Sequence, residues 1–224
     1  WTRGACTFNG KDQYAVCPNS SLNKTLVIPI RFRWDKNGQK EDREITGKDF
    51  KSPQVWHSNF CIEAYFKTES KDCVLVQKMA RTGYALTIDS SGKLLFEVKT
   101  PNTSSRLKSK TKINDNNWHH VIAQADRSAE TFTVYVDGEM DASGTGIAND
   151  SIDNDADLFV CGTPDGKCMK GTVEFMRISL GTLENAKTNI DQLYAWQFDG
   201  PFLRDFAGRK PEGKRDAGAL ELID

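Results

Sequence analysis

Apolar and polar residues alternate with a period of two along much of this chain, whereas the spacing of an amphipathic helix is nearly absent. In residues 60–66, the alternation would place Phe60, Ile62, Ala64 and Phe66 on one face. Successive side chains of a β-strand point to opposite faces, so the pattern predicts strands that each bury one face. Further strands are predicted at 73–77, 84–89, 93–99, 119–126, 131–136, 158–161 and 172–180.

Short turns separate the predicted strands. Gly92 and Gly138 each follow a polar residue and supply the positive φ that tight turns require. Residues 28–44 predict a hairpin around Asn37-Gly38. Many short strands joined in this way predict an all-β antiparallel sandwich or barrel. One short helix is expected between Asn185 and Trp196, and two stretches, 100–117 and 142–157, are expected to be irregular, the second a solvated loop rich in aspartate.

The length of 224 residues suits one all-β domain, which we assign to residues 1–198. Residues 199–224 are rich in glycine, proline and charge, so they are expected to form an extended tail that packs on the domain or remains from a linker.

Opposite charges nearly cancel in this sequence. The 30 Lys and Arg residues face 31 Asp and Glu residues, which leaves a formal charge of −1. This balance gives no reason to expect a nucleic acid partner. No apolar run approaches the roughly 18 residues needed to span a bilayer.

The six cysteines fall into local pairs. A turn centred on Pro164-Asp165 would place Cys161 opposite Cys168, which favours a disulfide across a hairpin. Cys6 and Cys17 flank a second possible hairpin, whereas Cys61 and Cys73 would need neighbouring strands. The alternative for each pair is free, buried thiols. Taken together, the cysteines favour a secreted or periplasmic compartment.

Four segments, in chain order, resemble motifs of laminin-G-like domains in the concanavalin A-like lectin/glucanase superfamily. They are Phe8-Asn9-Gly10-Lys11-Asp12-Gln13-Tyr14, Phe60-Cys61-Ile62-Glu63-Ala64-Tyr65-Phe66, Asn117-Trp118-His119-His120-Val121 with Phe132-Thr133-Val134-Tyr135-Val136-Asp137-Gly138, and Gly171-Thr172-Val173-Glu174-Phe175-Met176-Arg177-Ile178. The resemblance covers roughly residues 5–198 and implies a two-sheet jelly roll. Separately, residues 205–221 resemble the closing segment of some secreted parallel β-helix proteins, which implies a larger extracellular carbohydrate-processing parent.

Catalysis by this chain alone is not expected. Glycosidases on this fold use two carboxylates placed on one strand face, and no such cluster occurs in the sequence. The nearest candidates, Asp153, Asp155 and Asp157, lie in a stretch that favours a loop or an ion site. His119 and His120 lack an accompanying nucleophile motif, and the resemblance implies a structural role for them.

Binding is the better class of hypothesis. Sugar recognition needs an aromatic platform with polar partners, and the candidates are Glu63 and Tyr65 on one strand with Arg81 and Tyr84 in the following loop and strand. The alternative is that Tyr65 packs under a loop and Arg81 is a solvated charge.

The resemblance also implies a calcium site. Such jelly rolls often hold calcium where the first and last strands meet. Asn9 and Asp12, with Glu174 in place of the usual aspartate, would supply hard oxygen ligands.

Two functions remain open from the sequence. The first is a non-catalytic carbohydrate-binding or adhesion module of a secreted polysaccharide-processing protein, with a polysaccharide or glycan as partner. The second is a structural or protein-interaction domain that packs against a neighbouring catalytic domain of the same parent protein.

Overall fold

A computed structural model describes residues 5–19, 53–147 and 149–184 and, as backbone alone, residues 28–30 and 43–45. The strands in chain order are β1 (Cys6–Asn9), β2 (Ala15–Cys17), β3 (Ile28–Ile30), β4 (Arg43–Ile45), β5 (Phe60–Thr68), β6 (Cys73–Met79), β7 (Gly83–Ile88), β8 (Lys93–Lys99), β9 (Ser104–Lys112), β10 (His119–Asp126), β11 (Thr131–Val136), β12 (Glu139–Thr145), β13 (Leu158–Val160) and β14 (Lys170–Leu180).

Two six-stranded antiparallel sheets make up the sandwich. The first has the order β1-β14-β5-β10-β11-β12, and the second has the order β2-β13-β6-β7-β8-β9. A separate pair, β3 with β4, agrees with the hairpin predicted for residues 28–44. The predicted all-β, two-sheet antiparallel fold is therefore confirmed.

The core lies between the inner faces of the two sheets. Phe60, Ile62 and Phe66 of β5 are fully buried, and the ring of Phe60 lies edge-on to Phe96 of β8, with ring centroids 6.0 Å apart. Burying one large apolar side chain contributes about 1.5–3 kcal/mol. The alternation detected in the sequence is thus the pattern of a face that packs against an opposing sheet.

Of the two segments expected to be irregular, residues 100–117 contain a strand, so that part of the prediction is wrong, whereas the described residues from 146 to 157 are irregular as expected. β9 lies within residues 100–117, and β12 extends into residues 142–157. β9 pairs with β8 alone and lies at the sheet edge. Four of its six exposed positions are cationic, namely Arg106, Lys108, Lys110 and Lys112. An edge strand of this kind lacks the apolar alternation that reveals a buried strand.

The aspartate-rich stretch is also not a solvated loop, because its backbone docks on the sandwich. Ile152 is buried, and the fully buried Lys78 donates a hydrogen bond from Nζ to the carbonyl oxygen of Ala156 at 2.5 Å. The buried guanidinium of Arg127 donates to the carbonyl oxygen of Asp150. Two buried cations thus hold the loop through its carbonyl groups.

The first turn carries the chain from one sheet to the other. β1 pairs with β14 in the first sheet, whereas β2 pairs with β13 in the second. The hairpin predicted to bring Cys6 opposite Cys17 is therefore wrong. Gly10 turns the chain at φ +72°, and a Cβ atom there would lie 2.6 Å from the Cβ of Lys170, so glycine is required at this position.

The C-terminal predictions fall mostly outside the described residues. The helix expected between Asn185 and Trp196 and the tail 199–224 both lie there, so both stay predictions. Among the residues that the structure describes, no helix has the length and apolar character to cross a membrane.

A buried histidine fixes the turn that leads into β10. His119 Nδ1 lies 2.8 Å from Asp137 Oδ2, and His119 Nε2 lies 3.0 Å from Asp115 Oδ1. Burial opposes protonation of the ring, but the hydrogen bonds to Asp137 and Asp115 outweigh it and raise the pKa of His119. The ring therefore ties the start of β10 to the end of β11, beside Trp118.

The raised pKa of His119 predicts a pH-dependent stability. Because the folded pKa exceeds the unfolded value of about 6.5, the stabilisation is complete below that value and is lost as the pH rises through the folded pKa. We expect the free energy of unfolding to fall across this window in the native protein and to stay flatter in His119→Gln. Chemical denaturation at several pH values measures this.

The matched control is His57→Gln, because His57 is exposed and its ring makes one hydrogen bond among the described residues, with the carbonyl oxygen of Asn149. A His57→Gln profile that flattens as much as that of His119→Gln would contradict the assignment.

The disulfide predicted between Cys161 and Cys168 is absent, and all six cysteines are free thiols. Cys161 packs in the hydrophobic core, whereas the Sγ atom of Cys168 lies 3.8 Å from the carbonyl oxygen of Thr163. Cys61 Sγ lies 3.6 Å from the carbonyl oxygen of Gly181 on the first sheet. The paired spacing in the sequence therefore does not translate into bonded sulfur atoms.

Thiol alkylation tests this arrangement. Burial raises the pKa of Cys61 and of Cys73 to about 12 and also raises the pKa of Cys161. We expect these three to resist iodoacetamide at about pH 8 in the native protein while the exposed Cys6 reacts. In denaturant without reductant, all six should be alkylated. A smaller mass increase would reveal a disulfide.

Candidate functional site

An aromatic pair lies on the outer face of the first sheet. The ring of Tyr65 in β5 stacks on the ring of Trp118, with centroids 4.9 Å apart and an interplanar angle of 22°. Lys67 Nζ lies 5.4 Å from the centroid of the Trp118 ring. All three side chains are half-buried. The pair therefore presents an aromatic surface with a cation held over one of its rings.

Strand register explains why these side chains meet. Residues 60, 62, 64 and 66 of β5 face the core, so Tyr65 and Lys67 face outward. The pairing of Phe66 with His119 of β10 extends by one step to Lys67 beside Trp118. Trp118 thus lies on the outer face immediately before β10.

A β-bulge in β14 adds a third aromatic ring to this face. The register between β14 and β5 shifts between Val173 and Phe175, so Phe175 rather than Glu174 lies opposite Tyr65. Phe175 is 39% exposed. The extra residue reverses the phase of the strand and turns Phe175 outward, while Met176 packs against the core.

A cleft of about 480 Å³ lies at the edge of the first sheet, where β1 meets β14. Thr172 lines the cleft and is paired with Thr7 of β1 on one side and with Lys67 of β5 on the other. These three residues form one row across the sheet, which runs from the cleft to the lysine that lies over Trp118. The Oγ1 atoms of Thr7 and Thr172 lie 3.3 Å apart. Other lining residues are Asn9, Lys11, Glu69, Asn116 and Lys170.

A network of ionisable side chains lies next to the aromatic pair on the outer face of the first sheet. Glu63 is 4% exposed, and its Oε1 lies 2.7 Å from His120 Nε2 while its Oε2 lies 3.1 Å from Arg177 Nη2. Glu63 is thus buried between His120 and Arg177, with Oε1 hydrogen-bonded and Oε2 held by the ion pair alone, without a hydrogen bond among the described residues.

The structure does not bring together the four residues proposed as a sugar site. Tyr65 and Glu63 lie on the first sheet, but Tyr84 lies in the core, where it is 1% exposed and donates a hydrogen bond to the carbonyl oxygen of Pro53 at 2.9 Å. Its ring centroid is 5.2 Å from that of Phe60. Arg81 is an exposed residue between β6 and β7 of the second sheet. Tyr65 alone belongs to the aromatic surface.

Of the three residues proposed to hold calcium, Asn9 and Asp12 lie together but Glu174 lies apart from them. Asn9 Oδ1 accepts hydrogen bonds from backbone N–H groups of the first turn, and its Nδ2 donates to Asp12 Oδ1 at 2.8 Å. Glu174 lies four residues along β14 from Lys170, the partner of Asn9, which is roughly 13 Å at the usual rise of a strand. Calcium takes six or more oxygen ligands around one point, which this set does not provide. Within the described ranges, no cluster of three metal-binding side chains occurs.

The aspartates considered for catalysis act as anchors of the docked loop. Asp153 Oδ1 accepts a hydrogen bond from the Trp56 backbone N–H at 3.2 Å, and Asp157 Oδ1 accepts one from the Asn19 backbone N–H at 2.8 Å. Asp155 is exposed in the same loop.

Sequence reasoning missed Trp118, Lys67 and Phe175. Trp118 and Phe175 both lie within motifs that resemble the family, and Lys67 follows the alternation of β5. The missing information was the pairing of β5 with β10 and the bulge in β14, because these decide which side chains share a row.

Comparisons with known proteins agree with this architecture. A search of curated proteins finds no significant match. Among solved structures, domains LG4-5 of the mouse laminin alpha1 chain are 14% identical with a TM-score of 0.54, covering 81% of this chain and 44% of that one. The binding domain of Paraclostridial Mosquitocidal Protein 1 is 16% identical with a TM-score of 0.52, covering 95% of this chain and 52% of that one.

A third similar structure is the CBM40 of the Ruminococcus gnavus IT-sialidase bound to alpha2,3 sialyllactose. It is 18% identical with a TM-score of 0.47, covering 57% of this chain and 80% of that one. At the level of sequence families, residues 9–187 match the laminin G family described as the concanavalin A-like lectin/glucanases superfamily. The match spans most of the chain, which therefore belongs to this laminin G family of the concanavalin A-like lectin/glucanases superfamily.

Proposed function

We propose that this chain is a non-catalytic carbohydrate-binding or adhesion module whose glycan site is the outer face of the first sheet. The observation that carries the proposal is that Lys67, whose ammonium lies over the Trp118 ring of the Tyr65–Trp118 pair, is paired across the strands with Thr172 of the cleft. Sugar recognition needs an aromatic surface and nearby hydrogen-bonding side chains, and the cleft supplies the second from residues such as Thr7, Asn116 and Glu69.

The chemistry of each part suits a sugar. A pyranose ring has an apolar face that loses little on leaving water when it stacks on an aromatic ring, and a flat indole offers the larger area. The hydroxyl groups of the sugar then need hydrogen-bonding partners, because a buried polar group without one is costly. Thr7, Asn116 and Glu69, which line the cleft, are groups of the right kind.

The available carboxylates support a module without hydrolytic activity. Glycoside hydrolysis uses a pair of carboxyl groups about 5–10 Å apart. Among the described residues that line the cleft, Glu69 is the single carboxylate. Glu63 is engaged by His120 and Arg177, and Asp153 and Asp157 accept backbone hydrogen bonds away from the cleft.

The setting we propose is extracellular, within a polysaccharide-processing protein. Membership of the laminin G family and the resemblance of residues 205–221 to the closing segment of secreted β-helix proteins support it. The free cysteines add no support, and the alkylation experiment above tests whether an oxidising compartment leaves a disulfide.

One observation favours the second candidate, a protein-interaction domain packing on a neighbouring domain. Met140 of β12 is 61% exposed and lies opposite Tyr135, which itself lies opposite Ile122. This apolar row occupies the same sheet face at a distance from the cleft. A partner domain docking there would need no sugar, so the two candidates predict different responses to substitution.

Substitution of the indole tests the glycan site. We expect Trp118→Ala to weaken binding to glycans selected on an array by roughly fivefold or more, since the aromatic stacking surface is lost. Titration calorimetry with the selected glycan measures the affinity, and thermal unfolding checks that the variant folds.

Met140→Ala is the matched control, because it removes an exposed apolar side chain from the same face outside the site. Affinity that survives Trp118→Ala, or falls equally in Met140→Ala, would contradict the site. Silence across the array, together with binding to another domain of the parent protein, would support the interaction module instead.

A further inference from the structure

One carboxylate holds the residues on both sides of Trp118. Asp115 accepts hydrogen bonds from the backbone N–H and from Nδ2 of Asn117, both at 2.9 Å, and its Oδ1 lies 3.0 Å from Nε2 of His119. Asn117 precedes Trp118 and His119 follows it. Because both neighbours of Trp118 contact the same carboxylate, the place of the indole on the outer face depends on these contacts.

The other nitrogen of the His119 ring joins this turn to the end of β11. Nδ1 lies 2.8 Å from Oδ2 of Asp137, whose Oδ1 accepts the backbone N–H of His120 at 2.9 Å. Each ring nitrogen of His119 thus faces a carboxylate oxygen, and an ionised carboxylate accepts hydrogen bonds without donating any. A histidine ring donates from both nitrogens only when it is protonated, so this geometry is that of an imidazolium.

The same turn carries a residue of the cleft. Asn116 lines the cleft, and its backbone N–H donates a hydrogen bond to the carbonyl oxygen of Thr68 at 2.9 Å. Its φ is 65°, a conformation that residues other than glycine adopt where the surrounding contacts hold them. Residues 115–119 therefore carry one side chain of the cleft and, in Trp118, one ring of the aromatic pair.

Among the described residues, the ionisable groups that face the His119 ring come from two turns. Asp115 precedes β10 and Asp137 follows β11, whereas β5 places the apolar Phe66 opposite His119. The outer face beside Trp118 carries further ionisable side chains, namely Lys67, Glu63, His120 and Arg177.

The two carboxylates favour the charged ring. Burial lowers the pKa of His119, but the hydrogen bonds to Asp137 and Asp115 outweigh it and raise the pKa above its usual value of 6.5. Hydrogen bonds from Asn117 and His119 hold the pKa of Asp115 at about 2. The carboxylate of Asp115 therefore stays ionised over the whole range in which the His119 ring gains or loses its proton.

We infer that the protonated ring of His119 positions Trp118 and Asn116 for the glycan and makes glycan binding depend on pH. This inference rests on the proposed function and names a regulation of the same site. Loss of a ring proton leaves a nitrogen lone pair facing a carboxylate, which replaces a hydrogen bond with repulsion. The turn then holds the indole and the cleft amide less tightly, and the affinity for the glycan falls.

Glycan affinity measured against pH tests the inference. The probe is the glycan selected on the array, neutral or carboxylated, because neither kind titrates between about pH 5.5 and 8.5. We expect full affinity below the pKa of His119 and a fall of roughly twofold to tenfold as the pH rises through it, which is the range that one hydrogen bond carries. His119→Gln should bind with the lower affinity throughout, because glutamine does not titrate.

A second measurement needs no glycan. The indole N–H resonance of Trp118, identified by its absence from Trp118→Phe, is followed by nuclear magnetic resonance together with the ring protons of His119. We expect the two signals to shift with one midpoint as the pH rises. Asp115→Asn should lower this midpoint, because the ring loses a carboxylate that stabilises its charged form. This variant keeps the inference testable if His119→Gln does not fold.

Two other histidines provide the controls. His57→Gln removes an exposed histidine whose ring is hydrogen-bonded to the carbonyl oxygen of Asn149, so it should keep the pH profile of the native protein. His120→Gln removes the histidine that is hydrogen-bonded to Glu63. A profile that becomes flat in His120→Gln and not in His119→Gln would assign the pH dependence to the Glu63 network and overturn the inference.

The outcomes separate this inference from the proposed function. Affinity that stays constant while the His119 ring titrates, or a Trp118 resonance that does not follow that titration, overturns the inference and leaves glycan binding standing. Silence across the array at every pH overturns the proposed function and the inference with it. Affinity and resonance that change with the His119 midpoint, and at lower pH in Asp115→Asn, support both.

Discussion

The pairing of β5 between β10 and β14 is the constraint on which both the core and the candidate site depend. The inward residues of β5 are fully buried against the opposing sheet, and the outward ones carry Glu63, Tyr65 and Lys67. A slip of one residue would exchange the two sets, burying charges and exposing phenylalanines. Hydrophobic burial therefore fixes the position of the outer-face groups even though they make few core contacts of their own.

Sequence reasoning found the strands that bury a face and missed the ones that do not. The alternation at residues 93–99, 119–126 and 131–136 matches β8, β10 and β11 residue for residue. β9 remained hidden because an edge strand rich in lysine has no apolar period. Tyr84 was assigned to the surface because the sequence does not show which face of β7 packs on the core. That choice depends on the neighbouring strands and the opposing sheet, which is a tertiary property.

The candidate site was predictable only in part for a similar reason. The alternation of its own strand already predicts that Tyr65 faces outward. Its partner Trp118 lies 53 positions later in the sequence. The two rings meet only because of the register between β5 and β10. Phe175 lies on the same face because of a bulge in β14 that the sequence pattern does not predict. Local patterns specify faces of strands, whereas a binding surface is a property of the whole sheet.

The lysine-rich edge strand has a consequence for solubility. A bare sheet edge offers unpaired backbone groups to any other strand, which is a route to aggregation. Along β9, cationic side chains would repel a second copy of the same edge, and the carboxylate of Asp141 in β12 accepts the backbone N–H groups of Lys110 and Thr111 at 2.5 and 3.0 Å. The cationic side chains and the Asp141 carboxylate therefore protect the β9 edge of the second sheet. The polarity that hid β9 from sequence patterns therefore also disfavours pairing of this sheet edge with another strand.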